Sequence, residues 1–279
     1  AVIFATLHKD ATLLLMKLLE ESGLVSYVGK VNMDRNSPEY LTEHTAEESL
    51  KNTKEWLSEI PKDWQNCKPI LTPRFTPTCS DALMEGLGKL AKEYKLPVQS
   101  HLSENLGEIA WVKELCPDAK HYGDTYDRYG LLENSIMAHC VYTEGEELSA
   151  LKARGTMICH CPQSNTNLCS GAAPIRYFLE ENVKVGLGTD VAGGANLSML
   201  RVITDAISVS KLRFRLMDQS LAPLTLEEAF CLATLSGGSF FGKVGSFLPG
   251  YEADALVFHE KRRSVRKQTV KERLEVLLY

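Results

Sequence analysis

The chain has 279 residues, 44% of them hydrophobic and 24% charged, with a formal net charge of −5. That length and apolar content exclude disorder as the main state and allow one large domain with a substantial core. The acidic balance offers no general attraction to nucleic acid or to an anionic membrane, so a small molecule is the expected partner.

No apolar run approaches the roughly 20 residues needed to span a bilayer. The amino terminus lacks a basic segment followed by an apolar core and a cleavage site. A soluble, cytoplasmic protein is expected. The eight cysteines, spread from Cys67 to Cys231, are read as mostly free, half-buried thiols, because a chain of this size needs no staples.

The chain opens at Ala1 directly in an apolar run, as if cut rather than begun. Short β-branched runs lie near residues 2–7, 25–33, 67–75, 97–102, 135–140, 156–162 and 183–190, and segments of helical period separate them. This alternation predicts βα units and a parallel sheet. Thr45 with Glu48, Thr143 with Glu146, and Thr225 with Glu228 are spaced as capping boxes, and Gly155 is placed to stop the second helix. After Ser80, the residues Leu83, Leu87, Leu90, Ala91 and Tyr94 form an apolar stripe.

Seven strands with intervening helices fit an α/β fold of the TIM-like (β/α)₈ kind lacking one strand. No G-x-G-x-x-G follows a strand, which leaves a dinucleotide site without support. Near the end Lys261, Arg262, Arg263, Arg266 and Lys267 crowd together and read as a solvated tail.

Barrel enzymes carry reactive side chains at the carboxy-terminal ends of strands. The predicted strands finish in Thr72-Pro73-Arg74-Phe75, Ser100-His101-Leu102, Ala138-His139-Cys140, His160-Cys161-Pro162 and Gly188-Thr189-Asp190. Singly, each histidine reads as a hydrogen-bonded core residue and Asp190 as a helix cap. Together, imidazoles and a carboxylate at one rim form the N/O donor set that zinc takes. Glu104, three residues past His101, is placed to move protons without ligating. Cys159 and Cys161 share the strand face opposite His160, which argues against a sulfur-ligated metal. The H-x-E and P-C-x-x-C pair of the other zinc deaminase class is absent.

The segments Thr72-Pro73-Arg74-Phe75, Ser100-His101-Leu102-Ser103-Glu104-Asn105, Met137-Ala138-His139, His160-Cys161-Pro162-Gln163-Ser164-Asn165 and residues 186–194 (GLGTDVAGG) resemble, in order and spacing, the guanine deaminase branch of the amidohydrolase superfamily. The likeness covers nearly the whole chain. It implies zinc held by His101 and Asp190, with His139 either ligating the metal or orienting its bound water. It further implies that Glu104 protonates the ring and the departing amine, that Asp190 takes the proton from water, and that Arg74 and Phe75, with His101, Glu104 and Asp190, bind guanine. The implied reaction turns guanine into xanthine and ammonia in a homodimer with one zinc per site. Because a guanidinium only donates hydrogen bonds, Arg74 suits the O6 acceptor of guanine better than the amino group of adenine.

The family's other two ligands form an H-x-H pair on its first strand, and no H-x-H occurs here. The resemblance therefore implies a barrel lacking that strand over residues 1–244, and a partial return to a small β-domain over 245–279. Two other readings stand beside it: the same chemistry on another heterocycle, and an inactive fragment.

Overall fold

Short apolar runs joined by amphipathic helices can pair side by side only if each helix crosses back over the sheet, which makes the strands parallel. The computed structural model describes residues 1–259 and 266–279 and divides into two compact units, Ala1–Thr156 and Met157–Tyr279.

The first unit runs β1 (Val2–Phe4), α1 (Lys9–Ser22), β2 (Ser26–Gly29), β3 (Val31–Asn32), α2 (Ala46–Glu59), β4 (Cys67–Pro69), β5 (Thr72–Pro73), α3 (Asp81–Tyr94), β6 (Val98–Leu102), α4 (Leu106–Leu115), α5 (Asp124–Asp127), β7 (Ser135–His139) and α6 (Gly145–Arg154). β1 pairs with β2, β2 with β4, β3 with β5 and β6 with β7, all parallel. A parallel bridge between Leu71 and Val98 links the β4–β5 run to β6. The runs at 25–33 and 67–75 thus arrive as two pieces each. The first breaks at Lys30, whose buried ammonium turns to Glu43 at 2.7 Å.

Two helices cover the first strands. Met16 of α1, Trp56 of α2, Val28 of β2 and Cys67 of β4 form a closed apolar cluster, with Ile3, Leu13 and Ile60 packed against it. On α3, Leu83, Leu87 and Leu90 are buried as the stripe predicts, but Tyr94 lies in the last turn and is 46% exposed.

The helix ends show which caps form. Thr45 accepts from the Glu48 amide at 3.1 Å, while the Glu48 carboxylate reaches the His44 amide instead of closing the box. Thr225 and Glu228 close theirs fully. Thr143 does not cap: α6 starts after Glu144, and the Thr143 hydroxyl donates to the buried carboxylate of Glu147 at 2.7 Å. Gly155 ends α6 at φ 69°.

The second unit holds β8 (Met157–His160), α7 (Pro162–Asn167), α8 (Ile175–Glu180), β9 (Lys184–Leu187), α9 (Met199–Leu216), α10 (Leu226–Cys231) and α11 (Val270–Leu278). β8 and β9 pair parallel. The Arg176 guanidinium on α8 grips Glu228 on α10 at 2.6 Å. No strand forms among described residues 245–259, where a β-return was expected; α11 follows, opened by a complete capping box of Thr269 and Glu272. Of the basic cluster, Lys261, Arg262 and Arg263 lie outside the described residues, Lys267 is exposed, and Arg266 pairs with Glu272 at 2.8 Å. All eight cysteines are free, but five are buried, more than expected. Burial pushes the Cys79 thiol up to about 12. Among the described residues no helix is long and apolar enough to cross a membrane.

Candidate active site

β6 and β7 run in register, with Leu102 opposite His139, so two imidazoles emerge from neighbouring strand ends. The rings of His101 and His139 stack at 5.3 Å between centroids, 18° from parallel. Nδ1 of His101 lies 2.7 Å from the carbonyl oxygen of Arg74. A carbonyl only accepts, so Nδ1 carries the proton. Phe4 and Phe75 flank this ring at 4.7 and 6.4 Å.

Arg74 directly follows β5, and its amide donates to the Asn32 carbonyl of β3 at 3.2 Å. The exposed guanidinium sits 4.9 Å from the centre of the half-buried Phe75 ring. Phe75 in turn meets Trp111 of α4 edge-on at 6.3 Å. A planar apolar face beside a cluster of donors is a surface on which an aromatic base with acceptors on its edge can rest.

Beyond β6 the chain turns through Ser103 at φ 46°, which brings the Glu104 carboxylate to 3.7 Å from Nδ1 of His139. His139 and Cys140 are also left-handed, at φ 73° and 49°. Such conformations are costly for non-glycine residues and persist where neighbours hold them. Here the amide of Cys140 donates to Leu102 at 2.9 Å and that of Tyr142 to Ser103 at 3.1 Å. Beneath the turn, the buried Tyr126 hydroxyl accepts from the Thr76 amide at 3.2 Å, stands 2.9 Å from Ser100 Oγ and donates to the His101 carbonyl at 2.8 Å.

In the second unit, the predicted strand over 183–190 stops at Leu187, so Asp190 belongs to a turn, at φ 45°. That turn closes by a bond from the Gly194 amide to the Asp190 carbonyl at 2.6 Å. A Cβ on Gly193 would stand 2.9 Å from Asp190 Oδ2 and 2.6 Å from Ser164 Oγ, which is the physical reason for glycine there. His160 ends β8, almost fully buried. Cys159 and Cys161 both converge on Gly188, as strand alternation requires.

Arg74, Phe75, His101, Glu104 and His139 are thus brought together in the first unit, and Asp190 is set in the second. Tyr126, Glu108 and Glu147, which support them, were not picked out from the sequence. The only trace was the spacing of Glu108 three residues after Asn105, a helix-start signature. The donor chemistry suits zinc, with the tautomer of His101 already set by Arg74. Among the described residues, no three His, Cys, Asp or Glu side chains are gathered closely enough to hold an ion.

A model described as the amidohydrolase family matches residues 2–273. Over 259 residues the chain is 43% identical to a guanine deaminase of Dictyostelium discoideum, covering 91% of this chain and 57% of that protein, so it spans little more than half of that relative. The crystal structure of guanine deaminase from C. acetobutylicum with bound guanine in the active site superposes with a TM-score of 0.95 at 47% identity, covering 100% of this chain and 67% of that one. An adenosine deaminase from Xanthomonas campestris with bound zinc shares the fold at a TM-score of 0.74 and 24% identity, covering 88% of this chain and 54% of that one. The α/β architecture with parallel strands is that of these hydrolases.

Proposed function

Because the chain belongs to the amidohydrolase family, we propose that the complete protein deaminates guanine hydrolytically, giving xanthine and ammonia. One observation carries this reading: Arg74, Phe75, His101, Glu104 and His139 share one end of the first unit's strands, with the His101–His139 stack at 5.3 Å and Glu104 3.7 Å from His139. The likeness to guanine deaminases over most of the chain supports it.

His101, His139 and Asp190 would hold zinc. When bound, the ion supplies the Lewis acidity that makes a nucleophile from water near neutral pH. The protein's own groups do the rest. Phe75 offers a flat apolar wall to the purine, and Arg74 donates to O6. A base with an amino group at that position would offer the guanidinium no acceptor.

The proton count is met by two carboxylates. Asp190 accepts the proton that water loses on attacking C2. Glu104 delivers its proton to the ring, then takes the second water proton from the C2 hydroxyl as the C2–N bond breaks and passes it to the departing amine; the proton held by Asp190 returns to Glu104 through solvent, so that one water is consumed and one ammonia released. The Glu104 carboxylate lies 3.7 Å from Nδ1 of His139, just past the left-handed Ser103, which supports this role.

The test is a steady-state assay of the complete protein on guanine, adenine and cytosine, with Glu104→Gln alongside. Guanine should be the fastest substrate, and the variant should lose turnover while keeping its metal, since general acid–base catalysis contributes about 10²- to 10⁴-fold. Faster adenine turnover, or full activity of Glu104→Gln, would overturn the assignment. The same reading makes the protein a cytoplasmic homodimer, which sedimentation and cell fractionation check.

A further inference from the structure

Glu104 carries the proton transfers only if its backbone is held, and the residue before it is strained. Ser103 sits at φ 46° without a glycine's freedom. Two buried carboxylates surround this turn. Glu147 takes the Ser103 hydroxyl at 2.8 Å and the Gly123 amide at 2.7 Å. Glu108 takes the Glu104 amide itself at 3.0 Å on one oxygen and the Tyr122 hydroxyl at 2.6 Å on the other.

Glu108 is the third residue of α4, whose N-cap Asn105 accepts from the Glu108 amide at 2.9 Å. In an ordinary capping box the glutamate would return to the N-cap amide. Here it reaches one residue further back. Glu48 of α2 makes the same reach to the His44 amide, but from an exposed carboxylate; Glu108 is buried and also takes the Tyr122 hydroxyl, which ties the Glu104 amide to the interior. Burial raises the Glu108 carboxyl above its ordinary value, and burial also pushes the Tyr122 phenol up. The phenol therefore stays a donor, and both Glu108 oxygens face donors.

We infer that Glu108 is a positioning residue for the deamination: its carboxylate fixes the Glu104 amide so that the Glu104 side chain stands at His139. This rests on the proposed role of Glu104. What matters is an acceptor at the right reach, not a negative charge. Glutamine supplies one, accepting from Glu104 while donating to the Tyr122 oxygen. Aspartate keeps the charge but draws the acceptor back by about 1.5 Å, one carbon–carbon bond. Leucine keeps the volume and offers no acceptor.

The complete protein is assayed on guanine with Glu108→Gln, Glu108→Asp and Glu108→Leu. Glu108→Gln should stay within about threefold of the parent in kcat, whereas Asp and Leu should lower kcat by about 10- to 10²-fold at unchanged KM, the cost of a misplaced catalytic group. In a Glu104→Gln background, Glu108→Leu should cause no further loss of the residual rate, because both changes act through one carboxylate. A Gln variant as damaged as Leu, a mild Asp variant, or additive losses would overturn the inference.

Should Glu108→Leu fail to fold, the Asp and Gln pair still decides. Should the parent not turn over guanine, the proposed function falls by itself. Positioning is then read from amide exchange at Glu104, slow in the parent and Gln variant and faster in the Asp variant; equal exchange in all three would overturn it.

Discussion

Tyr126→Phe removes one oxygen from the centre of the layer that carries Arg74 and His101. The lost hydroxyl accepts from the Thr76 amide at 3.2 Å and donates to the His101 carbonyl at 2.8 Å. Thr76 is 2% exposed, so water cannot replace the acceptor for its amide. An orphaned buried donor costs about 1–3 kcal/mol, and an ordinary hydrogen bond lost with it about 0.5–1.5 kcal/mol. Ser100 keeps its bond to the Pro73 carbonyl at 2.7 Å and loses little. The expected destabilisation is therefore about 1.5–4.5 kcal/mol, read as a lower urea midpoint at unchanged slope. Because the Arg74 carbonyl also orients His101, KM for guanine should rise as well. A stability change below about 0.5 kcal/mol, the range of an ordinary surface substitution, would refute the assigned role of this hydroxyl.

Three further outcomes follow from other sites. Gly29→Ala should cost at least about 2 kcal/mol in urea unfolding, since the new Cβ would stand 1.7 Å from Thr72 Oγ1 and 2.8 Å from Gln99 Nε2; a neutral result would contradict the packing of β2 against β5 and β6. Glu20 takes the amides of Gln65, Asn66 and Cys67 at 3.0, 2.8 and 2.8 Å, and the Gln65 bond leads in holding its carboxyl below the usual range. A lowered folded-state value means stability present above the unfolded pKa of about 4.3 and lost as pH falls through the folded value. Glu20→Gln should thus be less stable than the parent at neutral pH, with the gap in melting temperature closing in acid. Arg74→Ala should lower kcat/KM for guanine by about 1.5–3 kcal/mol, and Arg74→Lys should not restore it, because an ammonium lacks the planar fork.

The strand order was legible because it rests on patterns that alternate or recur, and the candidate site residues stood out against those patterns. Apolar, β-branched runs mark the strands even where buried polar residues such as Thr72, Gln99 and Ser100 interrupt them, and His101, His139 and Arg74 stand at or just past their ends. Strand lengths were less legible. The runs at 25–33 and 67–75 look continuous, yet β2 stops before Lys30, whose buried pairing with Glu43 depends on a residue 13 positions away. Asp190 was read as the last residue of a strand, while its turn is set by close approaches to Gly193 and Gly194 that no periodicity reports. Thr143 matched a capping pattern and went elsewhere, because the buried carboxylate of Glu147, one residue past the Glu146 of that pattern, takes its hydroxyl.

Glu108 shows why the supporting residues were the hardest to see. An acidic residue in the first turn of a helix is already explained by the amides and dipole it faces, so its presence raises no question. At α4 that same carboxylate meets the Glu104 amide, as Glu48 of α2 meets the His44 amide, but from a buried position where it also holds the Tyr122 hydroxyl. A residue can satisfy a local rule and still owe its position to a distant task. Here the two demands separate cleanly, since Asn105 caps α4 without help. Removing the carboxylate should therefore leave the helix in place and move the Glu104 side chain.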